Sequence, residues 1–588
     1  MSDDILERAQ QWLEHDPDPS TREELRLLLA SADPAARADL GERFAGPLEF
    51  GTAGLRGLIG AGESRMNRAV ILRTSAGLAR YLLDYDAATA KRRGVVVGYD
   101  GRRMSREFAE DTVCALAAVG IPTHLFPIVS STPVTAFSVI HMGAAAGVMV
   151  TASHNPPEYN GYKVYWSNGA QIIPPHDKGI AAAIAAMPPA HEIPRLDLGE
   201  ALAQGICRPV PPEVERAYFD TIRRLSVREG GDRAIPIVYT PLHGVGNRPV
   251  RQALAEAGFT RVISVPEQAE PDGAFPTVAF PNPEEKGALD LAYALADKEG
   301  ADLVIANDPD VDRLAAAVRA PSGLFVQLTG NQVGVLLGNY LLTEASGEAP
   351  VPEGRLVIVS CVSSPMLGAI AKALGVRYEE TLTGFKWIAN RAMELERQEG
   401  LRFVFGYEEA LGYCVGPVVR DKDGISAAVL LAELAAVRRA AGMTLLDELE
   451  VLARRYGLFM SGQRAIMLPG VDGLARIAGA MQYLRETPPA AVGGLATLAV
   501  SDYLARVRTE KDGKQTPLLL PPTNMLVFEL DGGSRIIARP SGTEPKIKFY
   551  FDVREPMEFE EPPKAAQERA LATIDRLANA FCEIAGMV

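Results

Sequence analysis

The sequence predicts an α/β protein of several domains that ends in a smaller α+β domain. From about residue 46 to 460, short β-branched runs alternate with Ala/Leu-rich helical stretches, and the last segment changes to strand-like runs separated by turns. The chain has 588 residues, several times a domain of about 100 to 200 residues, and its 47% hydrophobic content suffices for ordinary cores. We therefore expect three α/β domains followed by one α+β domain.

The first 45 residues predict a helical N-terminal extension. Ser20 is followed three residues later by Glu23, just before the apolar run "LRLLLA". This spacing is typical of a capping box, in which a serine starts a helix and a glutamate bonds back to it. We interpret the extension as scaffolding.

The next region predicts α/β units, assigned to domains at 46–208, 209–325 and 326–460. Buried strands running into polar, Gly-rich loops are typical of such units, and ligands bind at those strand ends. The segments with this pattern are "RGVVVGYDGRR", "GVMVTASHNP", "IPIVYTPLHGVG", "ADLVIANDPDVDR", "RLVIVSCVSSP" and "RFVFGYEEALG".

The last domain, 461–588, predicts a hairpin-rich antiparallel sheet and an amphipathic terminal helix from about residue 564. The sheet is indicated by "NMLVFELDGGSRIIARPSGTEPKIKFYFDV". The preceding "RVRTEKDGKQTPLLLPPTN" is polar and Pro-rich, so we expect an exposed loop there.

Composition excludes several classes of partner. The formal charge of −14 and pI near 5.2 provide no basic field for nucleic acid or anionic membranes, so we expect small substrates held by local charges. No apolar stretch approaches the roughly 18 residues of a membrane span, and "MSDDILERAQQWLEH" is unlike a secretory signal. Five scattered cysteines without a C-x-x-C pair indicate reduced thiols and a cytoplasmic protein.

The motif "NDPDVDR" suggests a metal site. It places Asp308, Asp310 and Asp312 at alternating positions beyond the apolar run "LVIA". Carboxylates this close repel one another unless a cation neutralises them, and all-oxygen ligands favour Mg2+ or Ca2+. A solvated acidic turn is the alternative. A calcium EF-hand is excluded, because its positions six and twelve hold Arg313 and Arg319 instead of Gly and Glu.

Ser153, in "VMVTASHNPPEYNGYKVY", follows another apolar run. A lone serine is most often structural, for example in the first turn of a helix. A serine esterase is disfavoured, because "TASHN" lacks the glycines of a nucleophile elbow and all seven histidines fall at or before His243. A phosphorylated serine fits better, since its phosphate would help to ligate Mg2+ held by the aspartates.

Three further loops carry ligand-binding residue types, each of which also fits an ordinary turn. "ARPSGTEPKIK" surrounds a glycine with hydroxyls and cations, as phosphate cradles do. "FGTAGLRGLIGAG" is Gly-rich and carries Arg56, and "FGYEEALGY" places Glu408 and Glu409 after a strand, where carboxylates can accept sugar hydroxyls.

Together these motifs give the chain a specific resemblance. "FGTAGLRG", "TASHNPPEYNGYKVY", "NDPDVDR", "TGFKW", "GYEEALGY" and "RPSGTEPKIK" occur in the order seen in the α-D-phosphohexomutase superfamily, the phosphoglucomutase and phosphomannomutase enzymes. The length and the "GYEEALGY" form look most like the phosphoglucomutase/phosphopentomutase branch. The resemblance implies a four-domain architecture around a central cleft, with one loop from each domain.

The resemblance also implies a role for each matching residue. Ser153 matches the phosphoserine, and Asp308, Asp310 and Asp312 bind Mg2+ together with it. Lys163 matches a general acid/base, and Arg56, Arg313 and His154 lie beside the reacting phosphate. The implied substrate ligands are Lys386, Glu408, Arg539, Ser541, Gly542, Thr543 and Lys548.

The implied reaction interconverts glucose 1-phosphate and glucose 6-phosphate through phosphoserine, with glucose 1,6-bisphosphate as intermediate and activator. Many relatives have a serine and some a histidine where this chain has Ala410 and Tyr413, so mannose and pentose phosphates stay open as substrates. Lys548 stands where several relatives have arginine and binds phosphate only as a point charge. The sequence is also compatible with a non-catalytic sugar-phosphate-binding relative or a metal-dependent serine phosphatase, and it leaves the oligomeric state open.

Overall fold

The structure is a computed structural model that describes residues 3–51, 54–228, 232–344, 354–468, 471–541, 545–558 and 560–587. The chain folds into two compact units. Unit one comprises Met1–Val333 and Phe385–Ala441, and unit two comprises Gly334–Gly384 and Gly442–Val588. Within the described ranges, no helix combines the length and apolar character needed to cross a membrane. The five cysteines are all free thiols.

Unit one begins with three helices, α1 (Asp3–His15), α2 (Pro19–Ala30) and α3 (Pro34–Arg43). The predicted cap at Ser20 is wrong, because α2 starts at Pro19 and Asp18 is its N-cap. The Asp18 carboxylate accepts hydrogen bonds from the backbone N–H of Ser20 (2.9 Å) and from its hydroxyl (2.7 Å). Aspartate is as good a cap as serine, and proline is preferred at the next position, so the earlier cap wins.

A six-stranded mixed sheet follows in the order β1-β5-β4-β2-β3-β6. Strands β4, β2, β3 and β6 are parallel, whereas β5 is antiparallel to both of its neighbours. Its elements are β1 (Leu55–Leu58), α4 (Arg68–Arg93), β2 (Val95–Tyr99), α5 (Ser105–Ala118), β3 (Thr123–Leu125), α6 (Thr132–His141), β4 (Ala146–Val150), β5 (Tyr159–Trp166), α7 (His176–Ala185), α8 (Leu198–Ala203) and β6 (Cys207–Pro209).

The second sheet of unit one has five strands in the order β11-β10-β9-β7-β8. Strand β9 is completely buried, as its apolar sequence predicts for a strand covered on both faces. The elements are α9 (Pro212–Arg223), β7 (Ile237–Thr240), α10 (Asn247–Glu256), β8 (Val262–Ser264), α11 (Asp290–Glu299), β9 (Leu303–Ala306), β10 (Ala315–Arg319) and β11 (Phe325–Leu328).

The middle of the chain continues the α/β alternation through both units. Strands β12 and β13 pair in parallel in unit two, and β14 and β15 pair as an antiparallel hairpin in unit one. The elements are α12 (Gly330–Thr343), β12 (Arg355–Ser360), α13 (Met366–Ala373), β13 (Arg377–Thr381), α14 (Phe385–Glu399), β14 (Arg402–Glu408), β15 (Gly412–Val415) and α15 (Gly424–Ala440).

The rest of unit two is an antiparallel sheet covered by helices, as the sequence predicts for the last domain. The predicted exposed loop after residue 505 is wrong in part, because Val507–Glu510 and Gln515–Pro517 pair as a hairpin. The elements are α16 (Leu445–Tyr456), β16 (Leu458–Met467), α17 (Val471–Glu486), β17 (Ala491–Val492), β18 (Leu495–Asp502), β19 (Val507–Glu510), β20 (Gln515–Pro517), β21 (Leu526–Leu530), β22 (Arg535–Pro540), β23 (Lys546–Glu555) and α18 (Pro563–Ile584).

Candidate active site

Ser153 lies in the loop that follows β4 and is only 3% exposed. It belongs to no helix, and its φ of 53° is in the left-handed region, which costs a non-glycine residue about 1–2 kcal/mol. Its backbone N–H donates to Thr151 Oγ1 (2.8 Å), and its own Oγ donates to Asp308 Oδ2 (2.6 Å). These contacts hold the hydroxyl against the acidic loop.

The acidic loop follows β9, and its three carboxylates are buried. Their oxygens lie within 4.8 Å of one another, and among the described residues they form the one cluster able to hold a metal ion. Thr132 fixes the middle carboxylate: its N–H donates to Asp310 O (2.9 Å) and its Oγ1 donates to Asp310 Oδ2 (2.6 Å). Because Thr132 is the first residue of α6, the positive end of a helix dipole also faces Asp310.

Two lysines neutralise the acidic loop. Lys163 is paired in register with Met149 of β4, and its Nζ donates to Asp310 Oδ2 (2.7 Å) and Asp312 Oδ2 (2.8 Å). Nζ of Lys422 lies 3.2 Å from the same oxygen of Asp312. Burial lowers the pKa of Lys163, but the two aspartates outweigh burial and the pKa is raised. Lys163 is therefore a protonated donor in this arrangement.

The carboxyl groups differ in their readiness to bind a proton. Burial, and then the charges of Asp310 and Asp312, raise the pKa of Asp308 well above its usual value, and Arg313 opposes them only in part. Burial acts in the same direction on Asp310, but Lys163 outweighs it and its pKa is lowered. Asp308 is thus the carboxyl group that most needs a further cation in order to ionise.

The donor set fits a hard divalent cation such as Mg2+. Oδ1 of Asp310 and Oδ1 of Asp312 are buried and accept no hydrogen bond from the described residues. With Asp308 ionised, three carboxylates face the three cations Lys163, Lys422 and Arg313, so a divalent ion would add an excess of positive charge that a dianionic phosphate could balance.

Arg313 and Arg56 border the serine from two sides. The Arg313 N–H donates to Asp308 Oδ1 (3.0 Å), and its Nε lies 4.0 Å from Oδ2 of the same carboxylate. Arg56, on β1, donates from Nη1 to Asn155 Oδ1 (3.1 Å) and stays open to solvent. Both guanidinium groups are therefore available beside the serine loop to an incoming phosphate.

His154 lies next to the nucleophile candidate, with its Nδ1 3.3 Å from Ser153 Oγ. Burial, followed by the charges of Arg313 and Arg56, lowers the pKa of His154 to about 2. The ring is consequently neutral near pH 7 and can exchange hydrogen bonds without adding charge.

The hairpin of β14 and β15 is attached to the acidic loop. Leu314 N–H donates to Leu411 O (3.0 Å), and Arg313 forms an isolated backbone bridge with Gly412. Glu408 ends β14, and its charge is among those that raise the pKa of Lys422 against burial. Tyr413 is buried and donates to Gly330 O (3.3 Å), so its hydroxyl faces the core.

Lys386, in the first turn of α14, is 5% exposed. Burial lowers its pKa to about 8, with a small opposing effect from Asp177. Its Nζ lies 5.3 Å from the centroid of the Trp387 ring. A lysine with this pKa is mostly charged at pH 7 and loses its charge as the pH rises through about 8, and an anion bound beside it would favour the charged form.

Unit two contains the predicted distal phosphate ligands. Arg539 and Lys548 are directly opposite each other on β22 and β23, and both are half-buried. Arg539 Nη1 donates to Thr383 Oγ1 (2.8 Å), and Ser541 N–H donates to Lys546 O (2.7 Å). Two like charges opposite each other on one face are unfavourable without an anion. Gly542 and Thr543 lie outside the described residues.

The structure therefore brings together in unit one most of the predicted site residues, and it adds two that the sequence analysis missed. The missed residues are Thr132 and Lys422. Lys422 sits in "RDKDG", where a lysine between two aspartates looks like a surface turn, and only its burial beside Asp312 distinguishes it. The predicted residues that share this region are Arg56, Ser153, His154, Lys163, Asp308, Asp310, Asp312, Arg313 and Glu408.

Four family models match the chain in order. They are the phosphoglucomutase/phosphomannomutase alpha/beta/alpha domain I at residues 47–190, domain II at 216–323, domain III at 329–456, and the C-terminal domain at 500–564.

Individual proteins agree with these matches. A probable phosphomannomutase of Haemophilus influenzae is 43% identical over 87% of this chain and 96% of its own. A phosphopentomutase of Mus musculus is 37% identical over 97% of this chain and 93% of its own. The crystal structure of a putative phosphomannomutase from Thermus thermophilus superposes with a TM-score of 0.65 at 22% identity, covering 91% of this chain and 99% of the other. This last similarity establishes the shared fold.

Proposed function

This chain belongs to the phosphoglucomutase/phosphomannomutase family and is a mutase of the phosphohexomutase type, and we propose that it interconverts glucose 1-phosphate and glucose 6-phosphate through phosphorylated Ser153. The main support is the contact between Ser153 Oγ and Asp308 at 2.6 Å, in a loop whose other aspartates are bridged by Lys163. The hydroxyl, the carboxylates that could hold a metal ion and the buried ammonium are groups that can position and stabilise a transferring phosphoryl group.

In the proposed reaction, the phosphoryl group moves from Ser153 to the free hydroxyl of a sugar monophosphate. The bond between phosphorus and the seryl oxygen breaks, and a bond between phosphorus and the sugar oxygen forms. Lys163 assists the proton as it passes from the sugar hydroxyl to the seryl oxygen. The product is a bound sugar bisphosphate, for which we propose glucose 1,6-bisphosphate as both intermediate and activator.

Charge on the transferring group is stabilised by side chains around the serine loop. Arg56 and Arg313 supply guanidinium donors, and the neutral ring of His154 supplies a hydrogen-bond partner for the seryl oxygen. Bound Mg2+, held by the three aspartates and the seryl phosphate, would neutralise the phosphoryl oxygens.

The bisphosphate must then turn over, so that its second phosphate returns to Ser153. Glu408 is proposed to accept hydrogen bonds from the sugar hydroxyls, and Lys386 to bind the substrate in either orientation. A clamp on the non-reacting phosphate is proposed from Arg539, Ser541, Gly542, Thr543 and Lys548, supported by the cation pair across β22 and β23.

A second candidate is a phosphopentomutase with the same mechanism. The relative named phosphopentomutase aligns over 97% of this chain. The segment after Glu408 holds Ala410 in place of a hydroxyl-bearing side chain, and Tyr413 directs its hydroxyl into the core. Fewer polar contacts at this hairpin suit a sugar with fewer hydroxyls. A phosphomannomutase is the third candidate, after the relative of that name.

The test is a coupled assay of mutase activity with Mg2+, with and without glucose 1,6-bisphosphate, on the 1-phosphates of glucose, mannose, ribose and deoxyribose. We expect bisphosphate-stimulated turnover that is fastest on glucose 1-phosphate. A faster rate on ribose 1-phosphate would replace the glucose proposal with the pentose one. Steady release of inorganic phosphate would identify a phosphatase, and binding without turnover of any sugar would identify a non-catalytic relative.

A further inference from the structure

A pocket in unit one lies apart from the Ser153 loop, between the N-terminal helices and the first sheet domain. Its cavity volume is about 300 Å3, at the lower end of the range of small-molecule sites. None of its lining residues takes part in the proposed mutase reaction. The lining residues that matter for its chemistry are Arg8, Trp12, Asp16, Phe44, Glu63 and Arg73.

One cation at this pocket, Arg73, forms no ion pair with any carboxylate of the described residues. Arg73, on α4, donates from Nη2 to Met187 O (3.1 Å), while its buried Nε has no hydrogen-bond partner among the described residues. Arg8, in contrast, pairs with Glu63 (2.7 Å). Because Nε is buried, the donor open to an anion is Nη1, which makes no hydrogen bond with the described residues.

A second part of the pocket wall, opposite in character to Arg73, is aromatic. Trp12 donates from Nε1 to Asp16 Oδ2 (3.2 Å), and its ring stands edge-on to Phe44, with centroids 6.2 Å apart. His15, one turn further along α1, stacks on His191 at 4.4 Å. Trp12 is thus held in one orientation yet is only partly buried, so that its ring can take a planar partner.

We propose that this pocket binds a small molecule composed of a planar ring and an anionic group, the chemistry of a nucleoside monophosphate. The anion would pair with Arg73 and the ring would pack on Trp12. The two carboxylates of the pocket are engaged by other groups: Asp16 accepts hydrogen bonds from Trp12, Thr21 and the Asp18 N–H, and Glu63 pairs with Arg8.

Isothermal titration calorimetry with adenosine monophosphate as the probe tests the site on the full chain. The wild type is expected to bind saturably, and Arg73→Gln to bind about tenfold more weakly or worse, the typical loss of a charge-assisted hydrogen bond. The matched control is Arg80→Gln on the same helix, where the exposed arginine pairs with Asp84 outside the pocket. Unchanged mutase activity in both variants verifies that they are folded.

Two further probes separate the parts of the ligand. Adenosine and inorganic phosphate are each expected to bind more weakly than the monophosphate, and Trp12→Leu is expected to weaken the monophosphate but not phosphate. Absence of saturable binding by adenosine monophosphate, or equal affinity in wild type and Arg73→Gln, would overturn the proposal.

A second inference comes from the motif "YDGRR" after β2, which the proposed mechanism leaves unused. Its Arg102 is 4% exposed and lies beneath the Ser153 loop. The guanidinium donates to four backbone carbonyls of that loop, those of Ser153 (2.6 Å), Asn155, Pro156 (2.9 Å) and Tyr159 (3.3 Å).

The same guanidinium is fixed from its other side. Its Nε lies 3.5 Å from Asp100 Oδ2, and its Cζ lies 4.9 Å from the centroid of the Phe275 ring. Arginine presents five donors in a fixed planar fork, whereas lysine has three donors on one freely rotating nitrogen, so arginine holds several separate carbonyls more rigidly. We infer that Arg102 is a positioning residue that holds the serine loop, including the left-handed Ser153, in its reactive geometry.

This inference rests on the proposed function, and Arg102→Lys tests it. We expect kcat to fall about 10- to 100-fold with KM for the sugar phosphate nearly unchanged, because the lysine keeps the charge but lets the loop move. The control is Arg103→Lys, whose exposed side chain makes one long bond to the same loop (3.3 Å).

Intact-mass measurement of Ser153 phosphorylation by glucose 1,6-bisphosphate separates the two claims. If the wild type takes up no phosphate, the proposed function fails. If the wild type is phosphorylated and Arg102→Lys is phosphorylated at the same rate, or if kcat is unchanged, the positioning role fails.

Discussion

Two cation-rich sites of the chain differ in the charge that their cations face: at one they face carboxylates, and at the other they face each other. In unit one, the buried carboxylates of the acidic loop are matched by Lys163, Lys422 and Arg313. In unit two, Arg539 and Lys548 face each other across β22 and β23 as like charges. At the first site the protein's own cations balance most of the negative charge and leave only carboxylate oxygens for a metal ion, whereas the like charges at the second site are balanced when an anion binds. Substitutions should therefore affect chemistry at the first site and affinity at the second.

The strongest test of this contrast removes the nucleophile. We expect Ser153→Ala to abolish turnover, at least about 10⁴-fold, because no other hydroxyl of the described residues donates to Asp308. The coupled mutase assay measures the loss, with Ser167→Ala, an exposed turn residue, as the control. Near-normal activity of Ser153→Ala would overturn the phosphoserine mechanism.

The second test removes one negative charge from the acidic loop. Asp310→Asn is expected to weaken Mg2+ dependence and lower kcat about 10²- to 10³-fold, because Lys163 loses one of its carboxylates and the proposed ion one of its ligands. In metal-free buffer, the free energy of unfolding should fall by about 1–3 kcal/mol. Mg2+ titrations of activity and thermal unfolding measure both effects. Asp302→Asn, at an exposed ion pair, serves as the control and should change neither.

At the second site the same kind of change should have the opposite effect on stability. Lys548→Gln removes one of the two like charges, so the melting temperature should stay the same or rise slightly. KM should increase about tenfold with little change in kcat, since a charge-assisted phosphate contact is lost. Steady-state kinetics with Lys511→Gln, an exposed turn residue, as the control checks this. A large loss of kcat with unchanged KM would contradict the contrast between the sites.

The smallest expected effect concerns pH. Burial lowers the pKa of Lys386 to about 8, so its positive charge is lost as the pH rises through that value. If Lys386 binds the substrate phosphate, KM should rise above pH about 8 while kcat is less affected. Lys386→Arg keeps its charge and should flatten the KM profile. Identical pH profiles of KM for the wild type and Lys386→Arg would show that Lys386 does not bind the substrate phosphate.

Much of unit one could be predicted because its signals are local. Apolar runs ending in polar loops marked β4 and β9, and the carboxylates and Ser153 follow them directly. Lys422 and Thr132 could not be found in this way, since each acts through a contact with a residue more than a hundred positions away. A single sequence contains no record of such contacts, and neither residue has a distinctive spacing.

The two local errors have local causes. Ser20 competes with Asp18 for the same helix start, and the sequence "DPS" favours the aspartate because proline follows it directly. The hairpin of β19 and β20 turns at "KDGK", an Asp-Gly signal that the surrounding prolines obscured. At the helix start the Asp18 cap prevailed over the Ser20 cap, and at the hairpin the Asp-Gly turn prevailed over the loop that the prolines suggested.

The ammonium of Lys163, set between Asp310 and Asp312, bears on how this protein matures. In a newly synthesised chain, the ammonium of Lys163 can neutralise Asp310 and Asp312 as they come together during folding. The acidic loop can therefore fold without a bound metal ion. Purification in the presence of a chelator should accordingly yield folded protein that regains activity on addition of Mg2+. The supply of Mg2+ would then limit the activity of the enzyme but not the amount of folded protein in the cell.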